Sequence, residues 1–226
     1  MTEAQAVIFD MDGVIVDSEP RYERAFLQVL ADLGYGDNHG LEFGSYIGRS
    51  DRDVWIDFVA RHKPAHSLEA LLAMKRKRVL EILRRDEPLF VGLPELIEKL
   101  AAKYRLAVAS GSEPEVVEAV LRFKTLRRFF SVVTTSSEVR QGKPAPDIFL
   151  RAAQLLGVDP RICWVIEDSK PGVAAGLAAG MRVIAITNTY PAEELRSATR
   201  VVATYEEIEA ILLGNEQPNR RPYCSA

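Results

Sequence analysis

Near-continuous apolar runs, separated by stretches of helical periodicity, constrain this chain more than any other feature. The runs cover residues 6–10, 106–110, 132–135, 162–166, 182–186 and, more weakly, 201–203. They are rich in Val, Ile, Ala and Phe and do not alternate with polar residues, as expected of strands covered on both faces. The stretches 93–103, 113–122, 145–156, 171–179 and 205–213 carry helical spacing. Glu113 and Pro114 suit a first helical turn, and Gly180 suits a helix end. A series of this kind predicts an α/β fold: an open parallel Rossmann-like sheet with helices on both faces.

One interval breaks the rhythm. From residue 17 to 88 no convincing strand occurs, and segments 20–33, 51–62 and 67–85 are helical and highly charged. Leu68, Leu71, Leu72, Val79, Leu80 and Leu83 fall largely on one face, with Lys and Arg elsewhere. An all-helical cap inserted after the first strand is therefore expected. Residues 1–16 and 89–213 would form the core and 17–88 the cap, with hinges near 14–18 and 87–92. The polar tail 214–226 is expected to be loosely ordered.

Bulk properties narrow the function. A chain of 226 residues can bury a substantial core. A net charge of -3 and a pI near 5.8 argue against a nucleic-acid partner. The two cysteines, Cys163 in an apolar run and Cys224 near the end, do not make a disulfide framework, which fits a reducing compartment. The start of the sequence has no basic stretch followed by an apolar signal core, and no apolar run is long enough to span a membrane. A cytoplasmic location without a membrane partner is expected.

Chemistry concentrates where the strands end. Asp10 and Asp12 follow the first run, and Gly13 breaks the strand so that both carboxylates can face one crevice. Such a pair can hold a divalent cation or divide into nucleophile and general acid/base. Ser110-Gly111-Ser112 ends the second run, Lys143-Pro144 lies beyond the third, and Glu167-Asp168 ends the fourth. Ligands bind at the carboxyl ends of strands in open α/β sheets. Carboxylates with a Lys and a Ser–Gly turn suit Mg²⁺ with a phosphate. The Ser110 hydroxyl and N–H groups near Gly111 would donate to phosphoryl oxygens, and Lys143 would neutralise charge.

Taken in order, Asp10-Met11-Asp12-Gly13-Val14, Ser110, Gly142-Lys143-Pro144 and Glu167-Asp168-Ser169 resemble the four motifs of the haloacid dehalogenase superfamily. The resemblance runs from residue 5 to about residue 210. The helical insertion resembles the small cap of the subgroup containing beta-phosphoglucomutase and many small-molecule phosphatases. The resemblance implies that Asp10 attacks phosphorus and binds Mg²⁺ through its other oxygen. Asp12 would protonate the leaving oxygen, activate water, and ligate the metal through its backbone carbonyl. It further implies that Ser110, with Gly111, and Lys143 hold the phosphoryl group. Asp168 would ligate Mg²⁺ directly, and Glu167 directly or through water. In the cap, Lys75 and the pair Arg49-Ser50 match positions that contact substrate.

Several residues carry plainer readings. Ser112 is the expected N-cap of the helix that follows, and Ser169 a loop residue or cap. Asp17 is expected to serve the hinge backbone. His39, His62 and His66 lack metal-ligand spacing and receive no role. The expected activity is Mg²⁺-dependent hydrolysis of a small phosphorylated metabolite, because a closing lid favours small substrates. A sugar phosphate, 2-phosphoglycolate or a phosphogluconate-like acid would all suit, and a monomer or weak homodimer is expected. A phosphosugar mutase is the alternative. It carries a His where this chain has Tyr22 and a Thr where it has Ser18. A haloacid dehalogenase would generally lack the second acid, so Asp12 argues against it. An idle binding or regulatory module on the same fold is the remaining alternative.

Overall fold

The computed structural model describes residues 4–43 and 51–214. Six strands form one parallel sheet: β1 (Ala6–Phe9), β2 (Arg105–Ser110), β3 (Phe130–Thr135), β4 (Cys163–Glu167), β5 (Arg182–Ile186) and β6 (Arg200–Val202). Their spatial order is β3-β2-β1-β4-β5-β6. The chain builds outward from β1 on one side, then returns to build outward from β4 on the other. The order therefore reverses between β1 and β4, and that switch point opens a crevice at the strand ends. In register, Phe9 stands beside Val108 of β2 and Ile166 of β4, so β1 ends two residues short of the end of β2 and one short of that of β4.

Period-two alternation assigns the two faces. Val7, Phe9, Val108, Ile166 and Ile184 share one buried cluster with α4 (Leu93–Ala101), α5 (Pro114–Arg122) and α9 (Tyr205–Leu213). Ala6, Ile8, Ala107, Val165 and Val183 share the other with α6 (Asp147–Leu156), α7 (Lys170–Ala178) and the short α8 (Ala192–Leu195). Burial on both faces is why these strands read as continuous apolar runs.

Between β1 and α4 the described residues contain three α-helices: α1 (Glu19–Asp32), α2 (Asp51–His62) and α3 (Leu68–Asp86). They enclose a cluster of Phe26, Leu30, Trp55, Phe58 and Leu71, with the Phe26 and Trp55 rings 5.0 Å apart. Ser67 caps α3 by accepting from the Ala70 N–H at 3.2 Å. Of the leucine face expected on α3, Leu71, Val79 and Leu83 are buried, while Leu68, Leu72 and Leu80 are partly buried. Where the chain crosses between sheet and helices, Asp17 N–H donates to Pro88 O at 2.9 Å and Val16 bridges Leu89.

Departures from expectation are local. The first strand stops at Phe9, one residue before Asp10. The third starts at Phe130, because Ser131 is exposed and interrupts the apolar run without ending the pairing. Ser112 does not cap α5. Glu113 occupies that position and the Ser112 hydroxyl is drawn to Asp12 instead. The Asp17 side chain pairs with Arg21 at 2.5 Å, and only its backbone serves the crossing segment. The four-residue α8 is too short to show periodicity in sequence.

Candidate active site

Asp10 is the first residue beyond β1, and its N–H donates to Ile166 O at 2.9 Å, tying it to the end of β4. The chain then folds on itself. The amides of Ile15 and Val16 donate to Met11 O, and Gly13 N–H donates to Val16 O. Gly13 has φ of 77°, and a Cβ there would lie 1.9 Å from Asp168 Oδ2. Only glycine meets both conditions, left-handed backbone and contact with a carboxylate. Tyr205 OH donates to Val14 O at 2.7 Å and Asn188 Nδ2 to Gly13 O at 2.8 Å, so the turn is also held from outside.

Asp10, Glu167 and Asp168 come together as a buried acidic cluster with carboxylate oxygens within 4.8 Å of one another. Lys143 reaches the cluster from the loop after β3, donating to Asp10 Oδ1 and, at 2.6 Å, to Glu167 Oε1. Glu167 Oε2 accepts from the Asp168 N–H, the Ser169 N–H and the Ser169 hydroxyl, each at 2.9 Å. Ser169 also caps α7 by accepting from Gly172 N–H at 3.1 Å. The side chain of Glu167 is thus fixed at both oxygens.

Three acids facing one ammonium leave the cluster short of positive charge. Burial, then the neighbouring Glu167 and Asp10 charges, push the Asp168 carboxyl up to about 9. For Asp10, burial outweighs the attraction of Lys143 and, with the charges of Glu167 and Asp12, raises its pKa to about 7. Lys143 moves up as well: burial opposes its charge, but Asp10 and Glu167 together prevail. The donor set fits a hard divalent cation, which prefers carboxylate oxygens and would replace the protons these acids otherwise hold.

A stability consequence follows. With Asp10 and Asp168 raised above their unfolded values, the metal-free folded chain binds more protons than the unfolded chain between about pH 4 and pH 9. Its stability should therefore fall as pH rises through that window. A divalent cation should cancel the fall. Melting curves at pH 6 and pH 8.5, with Mg²⁺ and with EDTA, should show a larger Mg²⁺-induced rise at pH 8.5, by at least about 2–4 °C, the equivalent of about 1 kcal/mol. An equal rise at both pH values would contradict the charge balance described.

Asp12 faces different partners. Its Oδ1 accepts from the Ser18 hydroxyl at 2.6 Å and the Tyr22 hydroxyl at 2.7 Å. Its Oδ2 accepts from Ser112 at 2.7 Å and, more weakly, from Ser110 at 3.4 Å. Ser110 is buried at the end of β2 and accepts from the Ser112 N–H, with Gly111 exposed between them. The structure therefore brings Asp10, Asp12, Ser110, Lys143, Glu167 and Asp168 to one mouth, but gives the first two acids separate surroundings.

Lys75 is 3% exposed, unlike its charged neighbours on α3. It pairs with Asp51 and lies 4.1 Å above the Tyr22 ring and 5.0 Å from that of Phe26. Arg49 and Ser50 lie outside the described residues. Ser18, Tyr22 and Ser112 as partners of Asp12, and Thr189 as a partner of Asp168, were not foreseen as site residues. The sequence did carry one signal: Tyr22 is four residues beyond Ser18 at the start of a helix, so the two share a face.

Comparison with known proteins decides the family. Residues 4–180 match the haloacid dehalogenase-like hydrolase family. The chain belongs to that family. The expected haloacid dehalogenase-like phosphoric monoester hydrolase is borne out. Hexitol phosphatase B of Escherichia coli K12 is 33% identical over 199 residues, 87% of this chain and 88% of that protein. Fructose-1-phosphate phosphatase YqaB of the same organism is 31% identical, over 79% of this chain and 94% of its own length. CbbY from Rhodobacter sphaeroides, solved in complex with phosphate, superposes with a TM-score of 0.78 at 27% identity, covering 91% of this chain and 96% of its own. Among the described residues, no helix is long and apolar enough to cross a membrane.

Proposed function

We propose that this hydrolase is a Mg²⁺-dependent phosphatase that cleaves a small phosphorylated metabolite, a sugar phosphate or phospho-organic acid, through a phosphoaspartate at Asp10. The observation that carries the reading is the different surroundings of two neighbouring acids. Asp10 lies against Lys143 in the buried acidic cluster, whereas Asp12 is held apart by hydroxyls. The sugar-phosphate phosphatases among the similar proteins support the substrate class.

Asp10 attacks phosphorus, forming an Oδ–P bond as the ester P–O bond breaks. Asp12 gives its proton to the departing alkoxide and then takes one from the water that cleaves the acyl phosphate, which restores Asp10 and releases inorganic phosphate. Ser110, the backbone at Gly111, and Lys143 hold phosphoryl oxygens, with Lys143 neutralising charge on both the nucleophile and the transferring group. Asp10, Glu167, Asp168 and the Asp12 carbonyl would hold Mg²⁺, which would supply positive charge opposite the phosphoryl oxygens.

Residues 17–88 act as the lid that excludes water and selects the ester, hinged at 14–18 and 87–92. Lys75, with Arg49 and Ser50, is assigned to the distal end of the substrate. To reach it, Lys75 would have to exchange its contact with Asp51. The enzyme is taken to act in the cytoplasm as a monomer or weak homodimer.

A phosphate-release screen across sugar and organic-acid phosphates tests this reading. The expected result is Mg²⁺-dependent release, abolished by EDTA and restored by added Mg²⁺, with a marked preference among esters. Full activity in EDTA would contradict the metal assignment, and a flat, weak profile would favour an idle module. With beta-glucose 1-phosphate and a trace of the 1,6-bisphosphate, free phosphate should outrun glucose 6-phosphate. The reverse would favour the mutase.

A further inference from the structure

We infer that Tyr22 is a positioning residue that clamps the Asp12 carboxylate from the helical side. The inference rests on the role proposed for Asp12 as acid and base. Asp12 is gripped at both oxygens by two hydroxyls that also touch each other. Tyr22 OH lies 2.7 Å from Oδ1, Ser112 Oγ lies 2.7 Å from Oδ2, and the two hydroxyls are 3.1 Å apart. One comes from α1, the other from the loop after β2 in the sheet domain. A carboxylate held at one oxygen can still swing about its Cβ–Cγ bond. Held at both, it has one orientation.

The ring that carries the hydroxyl is itself held. Lys75 Nζ lies over its face at 4.1 Å, and that ammonium is pinned by Asp51. A rigid ring with two torsions places its oxygen at low entropic cost. The chain of contacts Asp51–Lys75–Tyr22–Asp12 thus ties the orientation of a core acid to the seating of the helices above it. Ser18, at the very start of α1, donates at 2.6 Å to the same oxygen as Tyr22, so the two hydroxyls share the grip on Oδ1.

The test separates positioning of a proton donor from general structural support. Tyr22→Phe keeps the ring and removes the hydroxyl. It is compared with wild type on 4-nitrophenyl phosphate, whose weakly basic leaving group departs without much protonation, and on phenyl phosphate, whose leaving group needs the proton. The quantity read is kcat/KM, which ends at ester cleavage and excludes the later attack of water. Tyr22→Phe is expected to lose about tenfold or more on phenyl phosphate but less than about threefold on 4-nitrophenyl phosphate. Ser112→Ala, which removes the opposing hydroxyl, should shift the ratio in the same direction, and it decides the matter if Tyr22→Phe fails to fold.

Equal losses on both esters, or no loss on either, would overturn the inference while leaving the proposed function intact. Should the wild type cleave neither ester, or Asp10→Asn cleave both, the proposed function itself would fail, and this inference with it.

Discussion

Asp12→Asn is expected to release one nitrophenol per chain from 4-nitrophenyl phosphate in a rapid burst and then turn over slowly. The steady rate should fall by about 10²- to 10⁴-fold relative to wild type. The leaving group is a weak base, so Asp10 can be phosphorylated without a proton from residue 12. Water attack on the acyl phosphate still needs the missing base. Asp10→Asn should behave differently. Lacking the nucleophile, it should show neither burst nor turnover, with kcat/KM reduced by at least about 10⁴-fold. The two substitutions remove carboxylates two residues apart, yet the structure gives them distinct partners, Lys143 for Asp10 and hydroxyls for Asp12. Stopped-flow absorbance distinguishes them. A burst in both variants, or in neither, would contradict the division of roles.

Gly172→Ala carries the second large effect. A Cβ at this position on α7 would lie 1.7 Å from Glu167 Oε1 and 1.9 Å from its carboxyl carbon. Helix and carboxylate cannot share that space, so Glu167 must move. Its side chain is 1% exposed and committed to Lys143, two backbone amides and Ser169, so it cannot move without breaking those bonds. Mg²⁺ affinity and activity are each expected to fall by about 10- to 100-fold, as when an outer partner of a metal ligand is lost. Because the damage passes through Glu167, adding Gly172→Ala to Glu167→Ala should cost little more than Glu167→Ala alone. Full additivity of the two losses, measured by activity against Mg²⁺ concentration, would show that the glycine acts by another route.

The fold was legible because its signals are local and redundant. A parallel sheet buried on both faces writes itself as apolar runs, and β5 falls on residues 182–186 as read. The absence of such runs between 17 and 88 marked the helical insertion equally plainly, with α2 at 51–62 as expected. The acids at the strand ends were legible for the same reason: Asp10, Glu167 and Asp168 depend on strand register alone to meet.

What escaped depends on contacts between segments far apart in sequence. Ser112 looks like an N-cap because it precedes Glu113 and Pro114. Only the approach of Asp12, 100 residues earlier, explains why its hydroxyl turns elsewhere. Lys75 opens a run of four basic residues, yet it is buried between Asp51 on α2 and two rings on α1. In sequence, Tyr22 departs from a related mutase and shares a helix face with Ser18. Its place against Asp12 emerged from the packing of α1 beside the sheet.

The role proposed for Asp10 is to carry the phosphoryl group. It is tested most directly by acid-quenching Asp12→Asn during the burst, reducing with borohydride and mapping the peptides by mass spectrometry. Reduction of an acyl phosphate should convert residue 10, and no other, to homoserine. The same treatment without substrate should leave residue 10 as aspartate. An unmodified residue 10 after a full burst, or homoserine at any other position, would rule out that role.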